Sequence, residues 1–176
     1  MKKVLIVLSL IVVFSFSLNK NSDDYVIVPD DSIRFRIIPN SNSVEDIDMK
    51  EQVKTTITDV INEIETSSNI DESRQNIIAN IPKIESNIDK LFIDNNYNKS
   101  YKVKYGINYF PEKIYKGVKY EEGPYESMVI EIGNAKGDNY WCVLFPPLCM
   151  IEAEESESIE YKFFVSEIIN KFLKKN

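Results

Sequence analysis

Apolar and polar residues alternate along three stretches of the chain, which are Ile33–Ile38, Tyr101–Ile107 and Tyr125–Ile132. A period of two residues is typical of a β-strand with one buried face. We therefore predict a strand in each stretch. A fourth strand is predicted over Tyr140–Phe145, where the pair Pro146-Pro147 ends it because proline cannot donate to a sheet ladder.

Apolar residues three or four positions apart predict helices in the remaining segments. The first helix runs from Val44 to about Thr66, with Ser43 as its N-cap. A second helix opens near Asp71 and carries Ile77, Ile78 and Ile81 on its inner face. Because proline inside a helix costs about 3 kcal/mol, we expect a break or kink there, with Pro82 in the first turn of a third helix that reaches about Ile93.

A last helix is predicted over Ile159–Leu173, where closely spaced apolar residues suggest docking on the sheet. An acidic connection, Met150–Ser158, precedes it. Between the second and third strands, Asn108–Gly123 is predicted to be a long connection or an irregular hairpin. Together these elements predict an α+β fold. Its small antiparallel or mixed sheet of about four strands would be packed by two to three N-terminal helices and one C-terminal helix.

The first eighteen residues predict export. Two lysines precede a mostly apolar run, residues 4–18, which is shorter than the ~20 residues of a full membrane span. We predict a signal peptide or N-terminal anchor over residues 1–18, a linker over 19–28 and a single α+β signalling domain over 29–176. Residues 4–18 would also give the chain a transient contact with the membrane.

Charge and composition then exclude several classes of function. Three of the 21 basic residues and none of the 28 acidic residues precede Asn21, so the rest of the chain carries a net charge of −10. That charge disfavours nucleic acid as a partner. The chain has no histidine, which excludes His-dependent catalysis and every metal site that needs a histidine ligand. We predict no catalytic residues, no metal site and no cofactor.

The two cysteines flank the Pro-Pro pair, with six residues between Cys142 and Cys149. In an exported domain the first prediction is a disulfide. Free thiols and a metal site remain as alternatives, although the spacing is not the Cys-x-x-Cys of redox-active pairs. Closing a loop of this length would contribute about 2.5 kcal/mol in the chain-entropy model.

Rare residues concentrate in the same segment, which holds the only tryptophan of the chain. Strand parity places Trp141, Val143 and Phe145 on one face and Tyr140, Cys142 and Leu144 on the other. The tip Phe145-Pro146-Pro147-Leu148 is predicted to be an exposed apolar anchor for a protein partner, because loop tips lie at the surface. Arg34 and Arg36 are predicted to form either a solvated strand face or a pair of cations that faces the partner.

Two segments resemble the signature of the stage II sporulation protein R family. One is Ile33-Arg34-Phe35-Arg36-Ile37-Ile38, preceded by Pro29-Asp30-Asp31 and followed by Asn40-Ser41. The other leads from Pro124-Tyr125-Glu126 through Gly133, Gly137 and Asn139 into Trp141-Cys142-Val143-Leu144-Phe145-Pro146-Pro147-Leu148-Cys149. The helix segment Lys162–Glu167 fits the C-terminal end of the family. Tyr140 and Asn40 depart from the residues that many members carry there.

The resemblance implies a secreted signalling protein of endospore-forming bacteria that acts in the space between the forespore and mother-cell membranes. Its partner would be a membrane-embedded aspartic protease of the stage II sporulation protein GA type, which removes the pro-sequence of sigma-E. The residues expected to contact this partner are Tyr140, Trp141, Phe145, Pro146, Pro147, Leu148, Arg34 and Arg36. The alternatives are a secreted hydrolase that uses carboxylates, or a structural protein of the envelope or spore.

Overall fold

A computed structural model of the chain describes residues 25–115, 117–149 and 158–173. The predicted export segment, most of the predicted linker and most of the predicted acidic connection lie outside these residues. The strands are β1 (Val26–Ile27), β2 (Ile33–Ile38), β3 (Tyr101–Phe110), β4 (Lys113–Tyr115), β5 (Val118–Tyr120), β6 (Gly123–Ile132) and β7 (Tyr140–Phe145). The helices are α1 (Val44–Glu65), α2 (Ile70–Asp94) and α3 (Ser158–Leu173).

Two mixed sheets confirm the α+β prediction. The larger sheet has the order β3-β6-β2-β7, in which β2 runs parallel to β6 and antiparallel to β7. The smaller sheet has the order β1-β5-β4 and was not predicted. Its strands β4 and β5 are three residues each and fall in the segment predicted as a connection, because strands this short show no readable alternation.

Helix α1 begins and ends where the sequence predicts. The Ser43 side chain accepts a hydrogen bond from the Asp46 backbone amide at 3.2 Å, which caps the first turn. Val53, Ile57 and Ile64 on its inner face are fully buried against the larger sheet. This burial fixes α1 on the sheet face that carries Phe35 and Ile37.

Helix α2 passes through Pro82 without a break, so the predicted third helix is wrong. Pro82 and Ile78 both lie on the exposed side, and Ile78 is 57% exposed rather than on the inner face as predicted. Burial of residues on both sides of the proline, among them Ile77 and Ile84, outweighs the local cost.

The other face of the larger sheet is covered by the smaller sheet and by α3. Helix α3 packs through Tyr161, Val165 and Ile169, in a cluster that includes Val118 and Tyr120 of β5. The prediction that α3 docks on a sheet is confirmed. Its expected apolar face is only partly buried, since Phe163 is 72% and Phe164 43% exposed. Among the residues that the structure describes, no helix has the length and apolar character to cross a membrane.

Candidate functional site

The two segments that stand out in the sequence are adjacent strands. Strands β2 and β7 pair antiparallel, with Arg34 opposite Val143 and Arg36 opposite Trp141. Strand β2 lies between β6 and β7, so its position is fixed from both sides. Residues about one hundred positions apart therefore form one two-stranded unit, and the candidate site is built on it.

Strand parity sorts the side chains of β7 as predicted, with one exception. Tyr140, Cys142 and Leu144 pack into the core beneath α1 and α2, while Val143 belongs to the cluster under α3. Phe145 was predicted on the Val143 face but lies in the helix-side core. The pairing register shifts between Ile33 and Arg34, so the alternation stops one residue before the strand ends.

The predicted disulfide joins Cys142 to Cys149, with their Cα atoms 5.1 Å apart. The Cys149 backbone amide donates to Glu65 Oε1 at 2.7 Å, which ties the loop to the C-terminal end of α1. The Leu148 amide donates to the Val143 carbonyl at 3.0 Å and folds the loop back onto its own strand. The disulfide thus fixes the end of β7 on the helix layer.

The prediction of an exposed apolar tip is wrong. Phe145 and Leu148 are each 3% exposed and Pro146 is buried after a cis peptide bond, so only Pro147 is half-buried. Helix α3 supplies the cover that the sequence did not reveal. Leu148 packs in the cluster of Tyr161, Val165 and Ile169, and the Phe145 ring lies 5.7 Å from that of Phe172.

Arg34 is fully buried, which contradicts its predicted place on an exposed face. Its Cζ lies 3.2 Å from the ring centroid of Tyr125, with Phe110 and Tyr120 within 5.8 Å. Nη1 donates to the Glu121 carbonyl at 3.1 Å, while Nε and Nη2 have no hydrogen-bond partner among the described residues. Desolvation lowers the pKa of Arg34 despite the neighbouring Tyr125 hydroxyl. Arg34 is therefore an interior cation held by aromatic rings.

Arg36 and Trp141 are half-buried and reach the surface together. The Arg36 Cζ lies 4.5 Å from the Phe110 ring centroid, and the Phe110 and Trp141 rings are 5.2 Å apart. Lys113 Nζ lies 5.1 Å from the Trp141 ring. We call Arg36, Lys113 and Trp141, with buried Phe110 beneath them, the Trp141 surface. Sequence reasoning missed Phe110 and Lys113, because both lie in or beside the segment predicted as a connection.

The two cations of the Trp141 surface are partly desolvated. Burial lowers the pKa of Arg36, and Glu131 partly opposes this effect. Burial also lowers the pKa of Lys113; the positive charge of Lys50 adds to the shift and Asp138 opposes it. Neither cation forms an ion pair with another described residue. The surface therefore carries positive charge that the described part of the chain does not neutralise.

A buried carboxylate organises the connection from β2 to α1, and sequence reasoning missed it. Asp46 is 4% exposed and accepts hydrogen bonds from Asn40 Nδ2 (2.8 Å), Ser41 Oγ (2.5 Å) and Tyr97 OH (2.5 Å). Desolvation by itself would raise its pKa, but these bonds and one from Ser43 hold the pKa of Asp46 well below its usual range. The only sequence signal was its place in the first turn of α1.

The same connection is clamped to the turn that leads into β7. The Gly137 amide donates to the Pro39 carbonyl at 3.1 Å, and Asn40 Oδ1 accepts from the Asn134 amide at 2.9 Å. A Cβ at Gly137 would lie 2.3 Å from the Ser41 carbonyl oxygen, so only glycine fits there. The start of β7, and with it Trp141, is thus positioned by backbone contact with the end of β2.

The geometry is that of a binding surface. Among residues 25–115, 117–149 and 158–173, no three His, Cys, Asp or Glu side chains are grouped so that they could hold a metal ion. The titratable groups at the Trp141 surface are cations stacked on aromatic rings. A half-exposed tryptophan beside unpaired cations can recognise a protein segment by stacking and charge.

Comparisons with known proteins agree on one family. Residues 29–155 match the family model described as Stage II sporulation protein R. Stage II sporulation protein R of Bacillus subtilis (strain 168) is 32% identical to this chain over 142 residues, which cover 80% of this chain and 63% of the relative. The chain thus spans less than two thirds of the length of that relative. No solved structure matches.

Proposed function

The chain belongs to the stage II sporulation protein R family and so has a role in sporulation, and from this premise we propose that it is an exported signal. It acts between the forespore and mother-cell membranes. There it activates a membrane-embedded aspartic protease of the stage II sporulation protein GA type, which then removes the pro-sequence of sigma-E. Its own role is to bind and not to catalyse.

The Trp141 surface is the observation that carries this proposal. It contains residues of both segments that resemble the family signature, since Arg36 comes from β2 and Trp141 from β7. Tryptophan and arginine are the side chains that most often dominate protein–protein affinity. Because β2 and β7 are held by the disulfide, by Gly137 and by flanking strands, the surface is ordered before binding. Little conformational entropy is lost when a partner docks.

The burial of the Pro-Pro loop changes the roles of the predicted contact residues. Tyr140, Trp141, Pro147 and Arg36 are at least half-buried but accessible, and they remain the proposed contacts. Four others act as supports that hold β7 in place beneath α3 or between the sheets: Arg34, Phe145, Pro146 and Leu148. Substitutions of Phe145, Pro146 and Leu148 should therefore act through stability.

Activation follows if the chain binds the active state of the protease more tightly than the inactive state. A ligand shifts such an equilibrium only by its differential affinity. A shift from about 1% to about 99% active needs a ratio of about 10⁴ in affinity. If the active protease is a dimer, one chain that contacts both protomers would supply this preference.

The test is co-expression in a host that does not sporulate. The protease and pro-sigma-E are produced with or without this chain, directed to the extracytoplasmic side, and cleavage of pro-sigma-E is followed by immunoblot. We expect cleavage that depends on the chain. Cleavage at the same level without the chain, or none with it present and exported, would refute the proposed function.

A further inference from the structure

The cations of the Trp141 surface differ from most charged groups around them. Lys104, on the same sheet face, pairs with Glu131 at 2.6 Å, and Lys83 on α2 pairs with Glu63 at 2.7 Å. Arg36 and Lys113 have no such partner among the described residues, although the chain beyond residue 20 carries a net charge of −10. Exposed lysines such as Lys90 and Lys102 also lack an ion pair among the described residues, but Arg36 and Lys113 are half-buried, and unpaired charge that is partly desolvated on an acidic protein points to a ligand of negative charge.

The donors behind the surface also lack acceptors. Arg36 Nε is buried without a hydrogen-bond partner among the described residues, and so are Nε and Nη2 of Arg34, which is fully buried on the same face of β2. Burying a charged donor without an acceptor costs free energy. A carboxylate docked beside the half-buried Arg36 side chain could not reach these buried atoms, but it would stabilise the charge of the guanidinium. It would also raise the pKa values of Arg36 and Lys113, which desolvation holds low.

The shape of the site favours an extended segment. In the described part of the chain, β7 is the last strand on its side of the larger sheet. Lys113 lies against Trp141 on one face of β7, whereas Lys54, 5.1 Å from the Tyr140 ring on the helix side, is already paired with Glu51 at 2.7 Å. A strand laid along this edge would direct every second side chain towards Arg36 and Lys113.

We propose that the Trp141 surface binds an extended acidic peptide segment of its protein partner. Carboxylates of the segment pair with Arg36 and Lys113, and an apolar side chain between them packs on the Trp141 ring. Glu131 is already engaged by Lys104, and Asp138 lies at the rim. The partner's identity rests on the proposed function, whereas the acidic character of its segment rests on the site alone.

Because Trp141 is the only tryptophan of the chain, its fluorescence reports binding at this site. Trp141 emission from the full chain, with its disulfide intact, is titrated with a ten-residue peptide that alternates glutamate and leucine. The same peptide with lysine in place of glutamate serves as the charge control. Sodium acetate and inorganic phosphate at matched anion concentration test simple anions. We expect a saturable emission change with the acidic peptide only, about tenfold weaker in 0.5 M than in 0.05 M salt.

Two substitutions test whether Arg36 and Lys113 bind the carboxylates of the peptide, and a third serves as a matched control. Lys113→Gln and Arg36→Gln should each weaken acidic-peptide binding by about five- to tenfold. Lys83→Gln, on α2 and outside the site, should leave binding within about twofold. Thermal unfolding checks each variant, and if Arg36→Gln does not fold, Lys113→Gln alone decides.

Three results would overturn the proposal. They are no emission change with the acidic peptide, an equal change with the lysine peptide, and an equal change with acetate or phosphate. The titration does not involve the protease, so it can succeed while co-expression fails. In that case the chain has an acidic-peptide site but does not activate the protease. If co-expression succeeds and the titration fails, the chain activates the protease through contacts other than an acidic segment.

Discussion

Asp46 provides a quantitative test of how the site is held in place. Replacing Asp46 with asparagine keeps the side-chain shape but removes the charge and turns one acceptor oxygen into an amide donor. Its three side-chain donors come from Asn40, Ser41 and Tyr97, so at least one of them then faces another donor. Hydrogen bonds to a charged group contribute about 1.5–3 kcal/mol each, and an orphaned buried donor costs about 1–3 kcal/mol. We expect the free energy of unfolding to fall by about 3 kcal/mol.

The stability that Asp46 contributes should depend on pH in a definite direction. The folded pKa of Asp46 lies below its unfolded value, which is about 3.9 for an ordinary aspartate. The stabilisation is therefore complete above the unfolded pKa and is lost as the pH falls through the folded pKa. The difference in stability between the wild type and Asp46→Asn should be constant from about pH 5 to 8 and should shrink below about pH 4.

The assay is urea unfolding followed by circular dichroism at several pH values. With a slope of about 1–3 kcal/mol per molar urea, the midpoint should fall by about 1–3 M with the slope unchanged. Asp48→Asn is the matched control, because Asp48 lies exposed on the same helix and bonds only Gln52 among the described residues. It should change stability by less than about 0.5 kcal/mol. A loss at Asp46 no larger than at Asp48, or a difference that grows below pH 4, would refute the reasoning.

Three further predictions concern the supports of the site, each measured by urea unfolding. Gly137→Ala would place its Cβ 2.3 Å from the Ser41 carbonyl oxygen and should cost about 2–3 kcal/mol, whereas an equal stability would show that this turn yields freely. The double variant Cys142→Ser/Cys149→Ser should be about 2.5 kcal/mol less stable than the oxidised wild type. In reductant, the wild type and the double variant should have the same free energy of unfolding. Arg34→Met should be neutral or slightly stabilising, because Arg34 is buried without an ion pair to another described residue; a loss above about 3 kcal/mol would contradict this.

The local sequence pattern correctly predicted those elements whose structure is determined by residues close together in the chain. The alternation in Ile33–Ile38 and Tyr140–Phe145 predicted β2 and β7, and the two cysteines predicted the disulfide that closes the loop after β7. The cap at Ser43 predicted the start of α1. In each case the deciding interactions lie within a few residues or follow from strand parity.

Long-range packing decided what the sequence did not show. Pro82 should have ended a helix on local cost, but burial of Ile77 and Ile84 on either side keeps α2 continuous. The tip at Pro146 should have been exposed as a loop, but α3 covers it from a distant part of the chain. Lys113 could not be assigned to the site, because only the fold of the smaller sheet places it on Trp141.

If the Trp141 surface triggers proteolysis, replacing the wild type with Trp141→Ala in the co-expression assay should stop the protease from cleaving pro-sigma-E. Phe163→Ala is the control, since Phe163 is an aromatic residue that is 72% exposed on α3, outside the site. Circular dichroism and an intact disulfide confirm that both variants fold. We expect no cleavage in the presence of Trp141→Ala and the wild-type level of cleavage in the presence of Phe163→Ala. A wild-type level of cleavage in the presence of folded Trp141→Ala would show that Trp141 is not needed for activation.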